Sequence, residues 1–295
     1  MSENNPHKSG YVAIVGKPNA GKSTLMNRIL GSKISITTPK PQTTRHQLLG
    51  IYSEENLQII FLDTPGIIQP KYELQKQMMD FVDRARKDAD IILFIVEPAR
   101  GKFPDYAFDV FKSMQKPVIL VINKMDASSR EEAEQLADEL IQSYAFDDTV
   151  YISALTGEGV DRLMEIIYEQ LQPGPPFYPK DMLSEQPVRF FVAELIREEL
   201  FLQYEQEIPY SCTVDIIEYD ERDDMDYISA EIIVNRKSQK GILIGKGGKA
   251  IKELGKKARK KIEAFIDKKV YLDLHVKVRE KWRDNPNMVR NFGYR

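Results

Sequence analysis

A chain of 295 residues, 42% hydrophobic and 29% charged, has the composition of a globular protein with length for two ordinary domains. Its net charge of −3 argues against a general nucleic-acid binder, and its one cysteine, Cys212, excludes an internal disulfide and suits a reducing, intracellular setting. Residues 1–10, MSENNPHKSG, hold no secretory apolar run, and no stretch reaches the roughly 20 apolar residues of a membrane span.

In chain order, the first part alternates β-branched runs with amphipathic stretches. YVAIV, LQIIFL, DIILFIV, PVILVIN and VYISA predict buried strands, with helices such as residues 131–144 between them. The alternation predicts a mostly parallel sheet with helices on both faces, whose ligands lie in loops after the strands.

GKPNAGKS, Gly16 to Ser23, follows the first strand and fits the phosphate loop G-x-x-x-x-G-K-[ST]. The run Gly16, Lys17, Pro18, Asn19, Ala20, Gly21, Lys22, Ser23 and Thr24 is expected to wrap phosphates at a helix N-terminus. Lys22 is placed to reach the β- and γ-phosphates, and the Ser23 hydroxyl to bind Mg²⁺. DTPG (Asp63, Thr64, Pro65, Gly66) ends the strand LQIIFL. Asp63 is expected to hold Mg²⁺ through a water and the Gly66 N–H to sense the γ-phosphate. Hydrolysis would then free the segment that follows. Between these motifs, Thr43 and Thr44 in PKPQTTRHQ both offer a further metal-contacting hydroxyl.

NKMD (Asn123, Lys124, Met125, Asp126) follows PVILVI and selects the base. The Asp126 carboxylate accepts from N1–H and the 2-amino group of guanine, whereas adenine offers neither donor there. Asn123 suits the N7/O6 side, the Lys124 stem can lie over the base, and SAL (Ser153, Ala154, Leu155) can aim the Ala154 N–H at O6. The ligand read from these loops is GTP or GDP.

Residues 171–187, LQPGPPFYPKDMLSEQP, carry five prolines and read as a semi-rigid linker. Beyond it the order becomes a helix near 188–203, strands near 211–219 and 227–235, two helices flanking GKGG, and a strand near 270–279. That order fits a type II KH domain, smaller and of α+β class. Arg236 to Arg283 holds 17 Lys and Arg against 5 Asp and Glu, a net of +12 that leaves −15 elsewhere. Gly245, Gly247 and Gly248 bare the backbone for a strand of RNA, with Lys246, Lys249 and Lys252 as charge and Ile242, Ile244 and Leu272 as apolar groove. The boundaries that follow are 1–172, a linker at 173–187, 188–282, and a basic, aromatic tail at 283–295. That tail, with Trp282, Phe292 and Tyr294, could stack bases, pack back on the domain or be disordered.

GKPNAGKSTLMN, PQTTRH, DTPGI and NKMD, in this order, resemble the translation-factor-related GTPases and most closely the Era family of bacterial GTPases, over nearly the whole chain. The resemblance assigns the metal-contacting threonine to Thr44, with Thr43 a second candidate. It puts Lys22, Thr44 and Gly66 at the reacting phosphate. It also implies GTPases with a hydrophobic residue, here Ile67, where Ras-like enzymes carry a water-orienting glutamine. Asn19 matches the asparagine that helps such relatives bind K⁺. The family further implies slow hydrolysis and binding of the 3′ end of 16S ribosomal RNA. With it come maturation of the 30S subunit, a cytoplasmic monomer, and peripheral association with the inner membrane.

Two rivals make different demands. A phosphotransferase needs a second pocket and a catalytic base, and His7, His46 and His275 are too dispersed to make one. A purely structural nucleotide site leaves Lys22, Ser23, Thr44 and Asp63 without a purpose; a multiple-turnover assay separates it from a GTPase.

Overall fold

In a computed structural model of the chain, residues 6–98, 108 and 115–294 are described. They fall in two compact units. The first is Met1–Ser35, Thr44–Gln69 and Met78–Glu185; the second is Ile36–Thr43, Pro70–Gln77 and Gln186–Arg295.

The first unit is built from β1 (Lys8–Gly16), α1 (Lys22–Leu30), β2 (Leu48–Ser53), β3 (Leu57–Asp63), the part of α2 (Glu73–Asp88) from Met78 on, β4 (Ile91–Val96), β5 (Val118–Ile122), α3 (Arg130–Ser143), β6 (Asp148–Tyr151) and α4 (Val160–Gln170). The strands form a sheet in the order β2-β3-β1-β4-β5-β6, parallel except for β2 against β3. Every residue of β3, β4 and β5 is buried, because helices cover both faces and leave no polar side to alternate with. β2 adds an antiparallel edge that the sequence reading passed over: LLGIYS carries a glycine and no long apolar run.

Residues 173–185 line this unit instead of standing free as a spacer. Ile51 N–H on the edge strand donates to the Leu183 carbonyl (2.9 Å), and Ser184 Oγ donates to Leu49 O (2.6 Å). Gln58 Oε1 accepts from the Phe177 and Tyr178 amides at 2.7 and 2.9 Å. Prolines bar a helix here, and the Leu183 carbonyl and Ser184 hydroxyl cover part of the otherwise open β2 edge.

The second unit holds α5 (Val188–Gln203), a one-turn helix Ile208–Ser211, β7 (Cys212–Asp220), β8 (Asp226–Val234), α6 (Lys237–Ile244), α7 (Lys249–Ile266), β9 (Val270–Val278) and α8 (Pro286–Asn291). β8 is central, antiparallel to β7 and parallel to β9. Val192, Leu195 and Ile196 of α5 and Ala258 and Ile262 of α7 pack on Ile228 and Ala230 of β8. The α7 stripe is thus core, and its lysines face outward, as the 3.6-residue period requires, except Lys261, which turns to Glu198 and Glu199 of α5. The tail packs back. Trp282 is fully buried, donates from Nε1 to Ser211 O (2.9 Å) and stacks on Tyr294, whose hydroxyl meets Thr213 Oγ1 at 3.1 Å. A P-loop α/β sheet followed by a type II KH unit, the class read from the sequence, is what the chain forms.

Candidate nucleotide site and nucleic-acid groove

The GKPNAG turn joins β1 to α1. Lys22, 5% exposed, donates from Nζ to the Lys17 carbonyl (2.9 Å) and the Gly16 carbonyl (3.3 Å). Burial pulls its pKa from 10.5 down to about 8, against the field of Asp63. Thr24 is half-buried one position after Ser23 in the first turn of α1.

Ser23 Oγ donates to Asp63 Oδ2 at 2.6 Å and lies 2.8 Å from Thr44 Oγ1. Burial raises the Asp63 pKa, opposed by the bonds from Ser23 and Ser35 and by the charge of Lys22. Among the described residues, buried Asp63 Oδ1 finds no hydrogen-bond partner. Two hydroxyls and a carboxylate with one unmet oxygen are the hard donor set that suits Mg²⁺. Thr43 is otherwise engaged: its Oγ1 donates to Lys40 O (2.8 Å) and meets Thr38 Oγ1 at 2.6 Å.

DTPG sits directly on the phosphate loop. A Cβ at Gly66 would lie 2.4 Å from the Pro18 nitrogen, so only glycine allows this approach, and Ile67 N–H donates to Gly16 O at 2.9 Å. Thr64 points its hydroxyl at Ile14 O (2.7 Å), and Pro65 is buried. These two residues shape the turn.

On the base side, Asn123 is 2% exposed, and a buried amide needs partners at both ends. Its Nδ2 donates to Ala20 O (2.7 Å), and its Oδ1 accepts from the Ala154 N–H (2.9 Å). Asn123 is therefore a strut between the phosphate loop and SAL, with one Nδ2 hydrogen left for a base edge, and the Ala154 amide is spent on it. That bracing role has no signature in the letters NKMD. Asp126 is exposed, its Oδ1 accepting from Ser153 Oγ at 2.5 Å. Lys124 takes a left-handed φ of 68° and pairs with Glu97, Met125 packs on the core, and Leu155 is exposed.

In the second unit, α6 ends at Ile244, Gly245 to Gly248 turn, and α7 begins at Lys249. A groove of about 710 Å³ runs beside α7 and β9, with Lys249, Lys252, Lys256 and Arg259 along it and Leu272 and Leu274 as apolar lining. Tyr271, 55% exposed, lines it too and stacks on Tyr227 with ring centroids 5.8 Å apart. Ile242 and Ile244 are not among its lining residues. Ile242 borders a separate hollow with Gln203 and Asn235, and Ile244 packs against the core around Leu243 and Leu254. A helix presents neighbouring residues on different faces, which an alternating reading of GILIG overlooks. The sequence reading missed Tyr271, although an aromatic residue beside a basic helix was a usable sign.

A family model described as "50S ribosome-binding GTPase" matches residues 11–124, and one described as "KH domain" matches residues 207–283. GTPase Era of Geotalea uraniireducens is 44% identical over 292 residues, 97% of this chain and 98% of that one. The chain belongs to the Era family of GTPases. A chloroplastic ERA-like GTPase of Oryza sativa is 46% identical over 98% of this chain and 70% of its own length. A crystal structure of Era in complex with MgGDPNP and nucleotides 1506–1542 of 16S ribosomal RNA matches with a TM-score of 0.94, at 42% identity over 98% of this chain and 99% of that one. An Aquifex aeolicus Era variant bound to GDP and AlF₄⁻ matches at 0.93, also 42% identical, over 97% and 99%.

Ile67 follows DTPG and turns into the core. It is 7% exposed, packed with Val15, Val82 and Phe94, and offers no group to orient a water. Asn19 holds a left-handed φ of 63° at the crest of the phosphate loop.

Proposed function

We propose that this Era-family GTPase is a switch that binds the 3′ end of 16S ribosomal RNA in the groove beside GKGG and assists maturation of the 30S subunit. It acts as a cytoplasmic monomer with peripheral contact to the inner membrane. The observation that carries the reading is one chain holding two different phosphate devices. One is a helix-mouth loop with a convergent Ser23–Asp63–Thr44 oxygen set; the other is an open glycine turn beside a basic groove. The relative seen with MgGDPNP and 16S nucleotides supports the pairing.

In this reading Ser23, Thr44 and Asp63 hold Mg²⁺, which when bound offsets charge on the β- and γ-phosphates. Lys22 adds a point charge beside the same oxygens, the Gly66 amide senses the γ-phosphate, and Asp126 reads guanine. With Ile67 apolar and buried, nothing at that position positions the attacking water, and slow hydrolysis follows. Asn19 supports stimulation by K⁺.

Multiple-turnover GTP hydrolysis tests the enzyme half, with turnover expected several-fold higher in K⁺ than in Na⁺ at matched ionic strength; equal rates remove the K⁺ assignment. Binding of an RNA of 16S nucleotides 1506–1542, measured against a scrambled RNA, tests the other half. Equal affinity for both removes the 16S assignment.

A further inference from the structure

Residues 36–43, which lead into Thr44, belong to the same compact unit as α5 and the GKGG loop. Within it, Lys40 Nζ donates to the Phe201 carbonyl (2.6 Å) and the Tyr204 carbonyl (2.5 Å). Phe201 lies in the last turn of α5 and Tyr204 caps it, at the helix end where the dipole favours a cation. Thr37 N–H, three residues earlier, donates to Glu198 Oε1 at 3.2 Å, and Glu198 Oε2 accepts from Lys261 of α7 at 2.6 Å. The bonds joining Thr38, Lys40 and Thr43 tie this turn together, and Thr44 is the next residue in the chain.

The far side of the same helix end reaches the RNA loop. Tyr204, 7% exposed, donates its hydroxyl to Leu243 O at 2.9 Å and accepts from Gln203 Nε2 at 3.1 Å. Gln203 Nε2 also donates to Ala250 O at 2.9 Å. Leu243 stands two residues before Gly245, and Ala250 two residues after Gly248. Tyr204 therefore holds Lys40 by its carbonyl and one shoulder of GKGG by its hydroxyl, while its neighbour Gln203 holds the other shoulder.

We propose that Lys40 is a positioning residue through which nucleotide state sets RNA affinity, and that Gln203 and Tyr204 carry the change to the shoulders of the GKGG loop. The inference rests on the proposed RNA reading and adds its wiring. Linkage then requires that RNA alter GTP affinity by the same factor as GTP alters RNA affinity.

The test is the ratio of affinities for the 1506–1542 RNA in the MgGDPNP and GDP states of the full chain. The wild-type ratio is expected to differ from one by about 5- to 150-fold, in either direction. Lys40→Met keeps the stem and deletes the ammonium; Tyr204→Phe keeps the carbonyl and deletes the bond to Leu243. Each is expected to bring the ratio within about twofold of one, at the level of a single coupled step, while Lys40→Arg restores it. Loss of general folding would lower both affinities and leave their ratio in place, so the ratio distinguishes wiring from stability. A wild-type ratio retained in either deletion variant overturns the proposal, as does a wild-type ratio of one with RNA still bound. No RNA binding by wild type in either state removes the RNA reading together with it.

Discussion

A side chain added at Gly245 would bring its Cβ to 2.7 Å from the Ala250 Cβ, on backbone at φ 70° and ψ 175° that only glycine adopts readily. At Gly247, φ is 61° and an added Cβ meets nothing within 4 Å. The first glycine is demanded by the fold, and the second leaves room for whatever approaches the loop. Gly245→Ala is accordingly expected to destabilise the KH unit by about 1–3 kcal/mol. Gly247→Asp, a residue type that tolerates left-handed backbone, should melt close to wild type. It should still weaken RNA binding tenfold or more by setting a carboxylate against phosphate, a loss of about 1.4 kcal/mol or more. Lys249→Glu should do the same, and GTP affinity should hold in both. Thermal melts beside RNA and nucleotide titrations check this; undiminished RNA affinity in both charge variants would discard the loop assignment. The letters GKGG give all three glycines equal standing, and only backbone angles and neighbours separate them.

Among the elements, Asp226 at the start of β8 ties two connections together. Its carboxylate accepts from Lys268 Nζ (2.6 Å), the Tyr219 hydroxyl (3.2 Å) and the Arg222 amide (3.3 Å), joining the β7–β8 hairpin to the turn before β9. Burial opposes its charge, yet the Lys268, Arg222 and Tyr219 donors together hold its pKa below the ordinary 3.8. A depressed carboxyl contributes stability that is whole above the unfolded value and lost as pH falls through the folded one. Asp226→Asn should therefore melt a few degrees below wild type at pH 7, and the gap should close as pH falls below 3.8. A gap that stays constant from pH 7 to pH 3 would deny the carboxylate this role. Hydrophobic period located β1, β3, β4 and β5, because buried parallel strands advertise themselves as apolar runs, while β6, mostly half-buried as DTVY, only overlaps the run VYISA. It passed over β2, whose pairing depends on β3 and on the Leu183 carbonyl at its outer edge, partners remote in sequence. It left the tail open for the same reason. What fixes Trp282 is a carbonyl at Ser211 and the ring of Tyr294, neither of which a local pattern can place.

At the scale of the whole chain, a net charge of −3 coexists with strong local polarity. Residues 215–231, which include the β7–β8 hairpin loop, carry eight Asp and Glu against one Arg, while α7 follows with lysines and arginine at 249, 252, 256 and 259. Steps of three and four residues put those four cations on one side of the helix, where they border the groove. By this pattern an RNA strand would be drawn to one strip and repelled from the hairpin, so an acidic net charge is compatible with the proposed local polyanion site. The strip should release counterions on binding, giving a logarithmic salt slope of roughly −0.7 for each phosphate neutralised on a single strand. Lys256→Gln and Arg259→Gln together should flatten that slope by about 1.4 if each side chain neutralises one phosphate. Neutralising Asp223 and Asp224 to Asn should leave it unchanged, because those acids lie in the hairpin loop and do not line the groove. RNA titrations across a salt series for the three proteins decide the matter. Equal slopes for wild type and the Lys256/Arg259 double variant would mean that these two cations neutralise no phosphate, leaving Lys249, Lys252, the apolar lining and the GKGG backbone to hold the RNA.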